Sequence, residues 1–239
     1  MEVLNDLLGY KNLKIFQNSE WFSFSLDSIL LPNFVTIKSN TKLIVDFCTG
    51  NAPIPLILAT KTSAKIIGIE IQKDVYELAK KTVLYNNLEN QITLYNEDVK
   101  NVGKFIGSEE ADIVLCNPPY FKVSSNSNLN EDIHKSIARH ELKIDLEQII
   151  KKAFYLLKTG GIIALVHRTD RFIEIVKILE NNHFSIKKIR FIYPKKGTES
   201  NLVLIEARKN GNVGLKILEP LIVHDLDGNY SKEVLKMFE

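Results

Sequence analysis

The tetrapeptide Asn117-Pro118-Pro119-Tyr120 is the part of this sequence whose residue types most constrain chemistry. It follows an apolar run that reads as a buried strand. Two consecutive prolines fix φ and remove two donors. The Pro118 carbonyl is then turned outward beside the carboxamide oxygen of Asn117. Two acceptors so placed suit an NH₂ group on a planar ring or on an amide. The lone pair of such an amine is delocalised, which makes it a poor nucleophile. Accepting from both of its hydrogens favours a pyramidal nitrogen and stabilises the positive charge that develops as a methyl group arrives. Tyr120 offers a face on which a target base can stack. Positioning supplies the rest, with no nucleophilic side chain and no metal. A proline pair can also do no more than end a strand, so the elements around it decide.

Those elements alternate. Apolar runs at Leu43–Phe47, Lys65–Glu70, Ile92–Asp98, Asp112–Asn117 and Gly161–His167 read as buried strands. Helical periodicity fills the gaps, over Asp74–Asn87, over Asp145–Lys158 with Gly160-Gly161 as its stop, and from Asp170 onward. Repeated βαβ units imply a parallel sheet covered on both faces. The runs Ser185–Tyr193 and Asn201–Arg208 have no helix between them, so one edge should be an antiparallel hairpin. Ligands on such sheets sit at the carboxyl ends of the strands.

Three acids stand at those ends. Asp46 precedes the loop Phe47-Cys48-Thr49-Gly50-Asn51-Ala52-Pro53. Glu70 ends the second strand, about 20 residues beyond the loop glycine, where a carboxylate can accept both ribose hydroxyls of a nucleoside cofactor. Asp98 closes the third, where it can accept from an adenine amine. A dinucleotide loop would need G-x-G-x-x-G, whereas only Gly50 is present and Pro53-Ile54-Pro55 lacks donors for a pyrophosphate. This disfavours a nicotinamide oxidoreductase; the loop instead resembles the methyltransferase variant, in which an acid ends the strand and a glycine lets backbone approach the amino-acid part of S-adenosyl-L-methionine. That resemblance implies a cofactor site of Asp27, Asp46, Cys48, Gly50, Asn51, Glu70, Ile71, Asp98, Val99 and Asn117.

Taken together, these segments resemble the amino-group methyltransferases that act on adenine N6, guanine N2 or glutamine N5. Phe24–Leu31, Ala138-Arg139-His140-Glu141, His167–Arg171, Tyr193–Lys196 and Asn201–Glu206 are similar to the bacterial tRNA(Val) adenine-N6 methyltransferases, over roughly Leu26 to Lys209. The resemblance implies a Rossmann-like class I methyltransferase fold, α/β, with a mostly parallel seven-stranded sheet, a C-terminal antiparallel hairpin and helices on both faces. It implies catalytic roles for Asn117, Pro118, Pro119 and Tyr120, and tRNA as partner, methylated at the adenosine 3′ of the anticodon. The alternatives are another amino-group substrate or a non-catalytic RNA-binding module on the same fold. A glutamine enzyme usually carries a separate substrate domain, for which the stretch ahead of Leu43 is short.

Basic side chains gather near the same rim. Arg139, His140, Lys143, Arg168, Arg171, Lys195 and Lys196 are candidates for phosphates flanking an extruded base, with Phe121 and Lys122 nearest the base. The polar segment Phe121–Arg139 is expected to be a lid that orders on RNA. His134, His140 and His167 lack ligand spacing, so no metal is expected.

Length and composition fit this reading. The 239 residues, 45% of them hydrophobic, suit one α/β domain at 41–239 with an N-terminal extension at 1–40 packing on it. No apolar run is long enough to span a bilayer, and Met1–Lys11 lacks a signal-peptide pattern. Cys48 and Cys116 suggest neither disulfide nor zinc, so a reducing cytoplasm is expected. The net charge of +2 permits nucleic-acid binding without arguing for it. A monomer is assumed.

Overall fold

A computed structural model of the chain describes residues 1–18, 25–118 and 145–238 (of Lys11, the backbone alone). It begins with an antiparallel hairpin that periodicity did not announce, β1 (Glu2–Leu7) and β2 (Tyr10–Asn18), turning at Gly9. Gly9 has φ +80°, and a Cβ there would fall on the Phe238 ring, so only glycine suits this turn. Helix α1 (Asp27–Phe34) follows. Ser28, Ile29, Leu30, Leu31, Pro32 and Phe34 are all buried, as expected of a helix apolar nearly all round.

The main sheet then builds up through β3 (Leu43–Phe47), α2 (Pro53–Ala59), β4 (Lys65–Glu70), α3 (Lys73–Tyr85), β5 (Ile92–Asn96), a 3-10 turn over Val99–Lys104 and β6 (Ala111–Cys116). After the undescribed stretch come α4 (Leu146–Leu156), β7 (Leu157–Arg168), α5 (Phe172–Asn181), β8 (Phe184–Lys195) and β9 (Leu202–Lys209). Two short strands, β10 (Lys216–Ile217) and β11 (Leu221–His224), and helix α6 (Lys232–Lys236) complete it. The order is β10-β8-β9-β7-β6-β3-β4-β5, with β11 also on β8. β5, β4, β3, β6 and β7 are mutually parallel, and β9 runs against both β7 and β8. The seven expected strands and their antiparallel hairpin are present. β10 and β11 extend the β8 edge, making nine strands in all.

Alternation along the strands divides the core in two. Ile44, Ile66, Ile113 and Leu115 meet α1 and α2 on one face. Val45, Phe47 and Val114 meet Ile149, Ile150 and Ala153 of α4 and Ile175 and Leu179 of α5 on the other. One expected boundary moves. The helix read as running to Lys158 ends at Leu156, and β7 starts at once. Leu157 pairs with Ala111 and Ile162 with Ile113, so residues 158–161 form an irregularity. Gly160, at φ +79°, serves that bend instead of a helix stop. No helix among the described residues is long and apolar enough to cross a membrane.

The strand order reverses between β3 and β6. This is the switch point at which open α/β sheets bind ligands, and it brings the Cys48–Pro53 loop beside Asn117. Register keeps the strand ends level: Phe47 pairs with Cys116 and with Ile69, and Glu70 pairs with Asn96.

Candidate active site

Asn117 and Pro118 leave β6 as a half-buried and a buried residue. The Asn117 Nδ2 donates to Ser28 Oγ at 3.2 Å. That bond turns the donor end of the carboxamide toward α1 and fixes the direction of its acceptor end. Ser28 was not foreseen; the resembling segment contained it, but only its neighbour Asp27 was singled out. Pro119 and Tyr120, the second half of the tetrapeptide, lie outside the described residues, as do Phe121, Lys122, Arg139, His140, Lys143 and the expected lid.

The loop after β3 is sharply wound. Cys48, Gly50 and Ala52 have φ of 57°, 58° and 71°. Left-handed backbone costs a non-glycine residue about 1–2 kcal/mol, so the surroundings must hold Cys48 and Ala52 in place. The Thr49 N–H donates to the Ile69 carbonyl at 3.0 Å. The Thr49 hydroxyl donates to Asp46 Oδ2 at 2.6 Å, and the Gly50 N–H donates to Glu70 Oε2 at 2.9 Å. Gly50 faces open space where a Cβ would stand. Backbone there can be approached closely by a ligand, as a small-molecule cleft requires.

The acids differ in character. Asp46 is fully buried, with Oδ2 on Thr49 and Oδ1 without a partner among the described residues. Burial above all pushes its carboxyl up to about 8, the Thr49 hydroxyl opposing and nearby Glu70 adding to the rise. Glu70 is also buried, and burial raises it, opposed by the N–H groups of Gln72 and Gly50. Its Oε1 accepts from Gln72 N at 2.9 Å. The Ile71 N–H and the Gln72 side chain also hold this carboxylate. Asp98 lies two residues beyond the end of β5 instead of within it, and its Oδ1 caps the 3-10 turn through Lys100 N. Ile71 is exposed and Val99 is buried in the core.

Two expected cofactor side chains are used elsewhere. Cys48 packs on the core beside Cys116, whose thiol is raised by burial and by Cys48. The Asn51 carboxamide donates to the Phe16 carbonyl of β2 at 2.8 Å. The backbone of each stays within the loop that a ligand would approach.

An orphaned buried carboxyl oxygen, an uncovered glycine and a carboxylate at the second strand end fit an amino-acid-bearing nucleoside better than a pyrophosphate. A family model, "Methyltransferase small domain", matches residues 25–190, well over half of the chain. The chain belongs to this methyltransferase family. A Porphyromonas gingivalis protein named tRNA1(Val) (adenine(37)-N6)-methyltransferase is 25% identical over 242 residues, covering 98% of this chain and 94% of that one. A crystal structure described as a predicted O-methyltransferase from Agrobacterium tumefaciens superposes with a TM-score of 0.71 at 20% identity, over 89% and 95% of the two chains. The aTrm5 chain in complex with tRNA(Leu) gives 0.59 at 18%, over 87% and 53%. At these identities the two structures speak for the fold alone.

Four residues of the expected basic rim of this methyltransferase, Arg168, Arg171, Lys195 and Lys196, lie among the described residues. Lys195 and Lys196 are exposed on the β8–β9 turn, at the same end of the sheet as Asn117. Arg168 is exposed but grips Asp170 at 2.8 Å. The Arg171 guanidinium is nearly buried, bonded to Glu174 at 2.8 Å and 3.3 Å from His167 Nε2, so it braces the start of α5.

His167 is itself buried, and its Nδ1 accepts from the Arg168 N–H at 2.8 Å. With Nδ1 accepting, the one proton of the neutral ring stands on Nε2; a second would land on Nδ1, break the Arg168 bond and place a positive ring beside the Arg171 guanidinium. Burial first, then Arg171, lowers its pKa to about 4. A lowered histidine contributes stability that is present above its unfolded value of about 6.5 and is lost as pH falls toward 4. We expect His167→Gln to flatten that acid limb, read as a smaller drop in denaturation midpoint between pH 7 and pH 4.5 than the wild type shows. An equal drop in both proteins would remove His167 as its source.

Proposed function

We propose that this methyltransferase moves a methyl group from S-adenosyl-L-methionine to the N6 amine of an adenosine in tRNA, the adenosine 3′ of the anticodon of tRNA(Val). The observation that carries the reading is the pairing of Asn117 and Pro118 with the single-glycine loop at the switch point of the sheet, the carboxamide being oriented by Ser28. The names of the curated relatives supply the substrate.

Bound in the cleft, the cofactor supplies an electrophilic methyl. Gly50 admits it by leaving room above the loop, and Glu70 accepts its ribose hydroxyls. Asn117 Oδ1 and the Pro118 carbonyl accept the two hydrogens of the target amine and hold its lone pair toward the methyl. Neither is a base, so the displaced proton leaves to solvent. We place the reaction in the cytoplasm, with tRNA as its partner.

The deciding experiment incubates the full chain with unmodified tRNA and labelled cofactor, then identifies the labelled nucleoside by mass spectrometry. N6-methyladenosine is expected. Label on guanine N2 or on protein glutamine would redirect the substrate assignment. No label in any acceptor would favour a binding module.

Lys195 and Lys196 are the described residues best placed for phosphate. Replacing both by alanine should weaken binding to all tRNAs alike and flatten its salt dependence by about one unit of slope per residue. An unchanged slope would move the RNA to another face.

A further inference from the structure

The hairpin β1–β2 lies before the span that the family model matches, yet it is attached to the cofactor loop. A two-stranded hairpin is marginal by itself, so the body of the protein must set its place. One end is buried: Leu7 and Ile15 are fully inside the core, and the Tyr10 hydroxyl donates to the Met237 carbonyl at 2.7 Å. Along β2 the outward backbone groups are met by side chains in place of a third strand. The Lys14 N–H donates to Asn86 Oδ1 at 3.0 Å, and Asn86 Nδ2 donates back to the Lys14 carbonyl at 2.7 Å. The Phe16 N–H donates to the buried Thr82 Oγ1 at 3.0 Å. The next acceptor, the Phe16 carbonyl, takes the Asn51 amide at 2.8 Å. Three of these four bonds run to α3 or its cap. The fourth comes from the middle of the strained loop, between Gly50 and the left-handed Ala52.

We infer that Asn51 is a positioning residue that ties the N-terminal hairpin to the cofactor loop, so that hairpin docking and cofactor binding strengthen each other. The inference rests on the reading of this loop as the cofactor site. Gly50 and Glu70 secure the loop from the sheet side, and Asn51 secures it from the hairpin side. A loop with two non-glycine left-handed residues gains most from such a second anchor, because its backbone is then set before the ligand arrives. Linkage requires reciprocity: whatever factor the docked hairpin adds to cofactor affinity, the cofactor adds to hairpin docking.

The test uses S-adenosylhomocysteine and the full-length chain. Calorimetry gives affinity, and hydrogen exchange follows the Lys14 and Phe16 amides. In the wild type the ligand should slow exchange at both amides. Asn51→Ala should abolish that effect and weaken binding about three- to tenfold, the worth of one neutral hydrogen bond. Thr82→Val, on α3 and similar in shape, should also weaken binding, and the double variant should fall short of the product of the two effects. Unaltered exchange in β3, β4 and β6 would show that both variants are folded. Wild-type hairpin exchange indifferent to the ligand would overturn the inference. So would a Thr82→Val chain that binds normally while Asn51→Ala does not, since Asn51 would then be a direct ligand. Failure of the wild type to bind at all would overturn the cofactor reading and this inference with it; the other two outcomes overturn the inference alone.

Discussion

Asn117→Ala should lower turnover by a factor of about 100 or more while leaving cofactor affinity nearly unchanged, as expected when one preorganised transition-state partner is lost. Asn117 sits at the end of β6, beside the loop after β3, and its Nδ2 is committed to Ser28. That bond sets the direction of the carboxamide oxygen before any ligand arrives. An exocyclic amine is nearly neutral in the ground state and becomes cationic as the methyl bond forms, so the acceptor is worth more in the transition state than before it. That difference is why the loss should appear in kcat. Ser28→Ala isolates the orienting bond: it should lower kcat by a smaller factor, about three- to tenfold, with the acceptor still present. Single-turnover methylation of tRNA, with affinity for S-adenosylhomocysteine measured in parallel, checks both. An Asn117→Ala chain that binds cofactor normally and methylates at near wild-type rate would show that the amine is held by other groups.

The parallel half of the sheet was legible because its strands are buried on both faces and read as continuous apolar runs, from Leu43–Phe47 to the β7 core. The acids at the strand ends were legible for a related reason: position along a parallel strand fixes which rim a residue reaches. The hairpin at residues 2–18 was not. Its sequence includes Asn5, Asp6, Asn12, Lys14 and Asn18, and the outer edge of β2 is completed by Thr82, Asn86 and Asn51, from far along the chain. β10 and β11 are too short, at two and four residues, for alternation to register. Asn51 illustrates the same limit at the site. Its place in the loop suggested a ligand, and only the tertiary structure shows its amide on Phe16. Arg171 is different: Glu174 stands three residues on in the same helical run, a spacing that pairs charges, so its engagement could have been read from the sequence.

Glu70→Ala should weaken S-adenosyl-L-methionine binding by about 1.5–3 kcal/mol, the worth of a hydrogen-bond partner that is charged. The carboxylate does two things here. It braces the cleft, taking the Gly50 N–H on Oε2 and the Gln72 N–H on Oε1, and in the proposed complex it also accepts from the ribose hydroxyls. Alanine removes both roles. Glu70→Gln is the sharper variant, because it keeps the size and one acceptor but turns an NH₂ toward one of the two backbone donors; it should also bind weakly. The ionised form is the one that can accept at both oxygens. Burial raises the Glu70 carboxyl above the ordinary glutamate value, so protonation sets in earlier on acidification than for an exposed glutamate. Cofactor affinity should therefore fall as pH drops through that raised value, and the Glu70→Gln chain, with nothing to titrate there, should lose that share of the pH dependence. Calorimetry across pH on both chains, with circular dichroism to confirm the fold, tests the argument. Unchanged affinity in a folded Glu70→Ala chain would take Glu70 out of the ribose site and leave it only the brace of the loop.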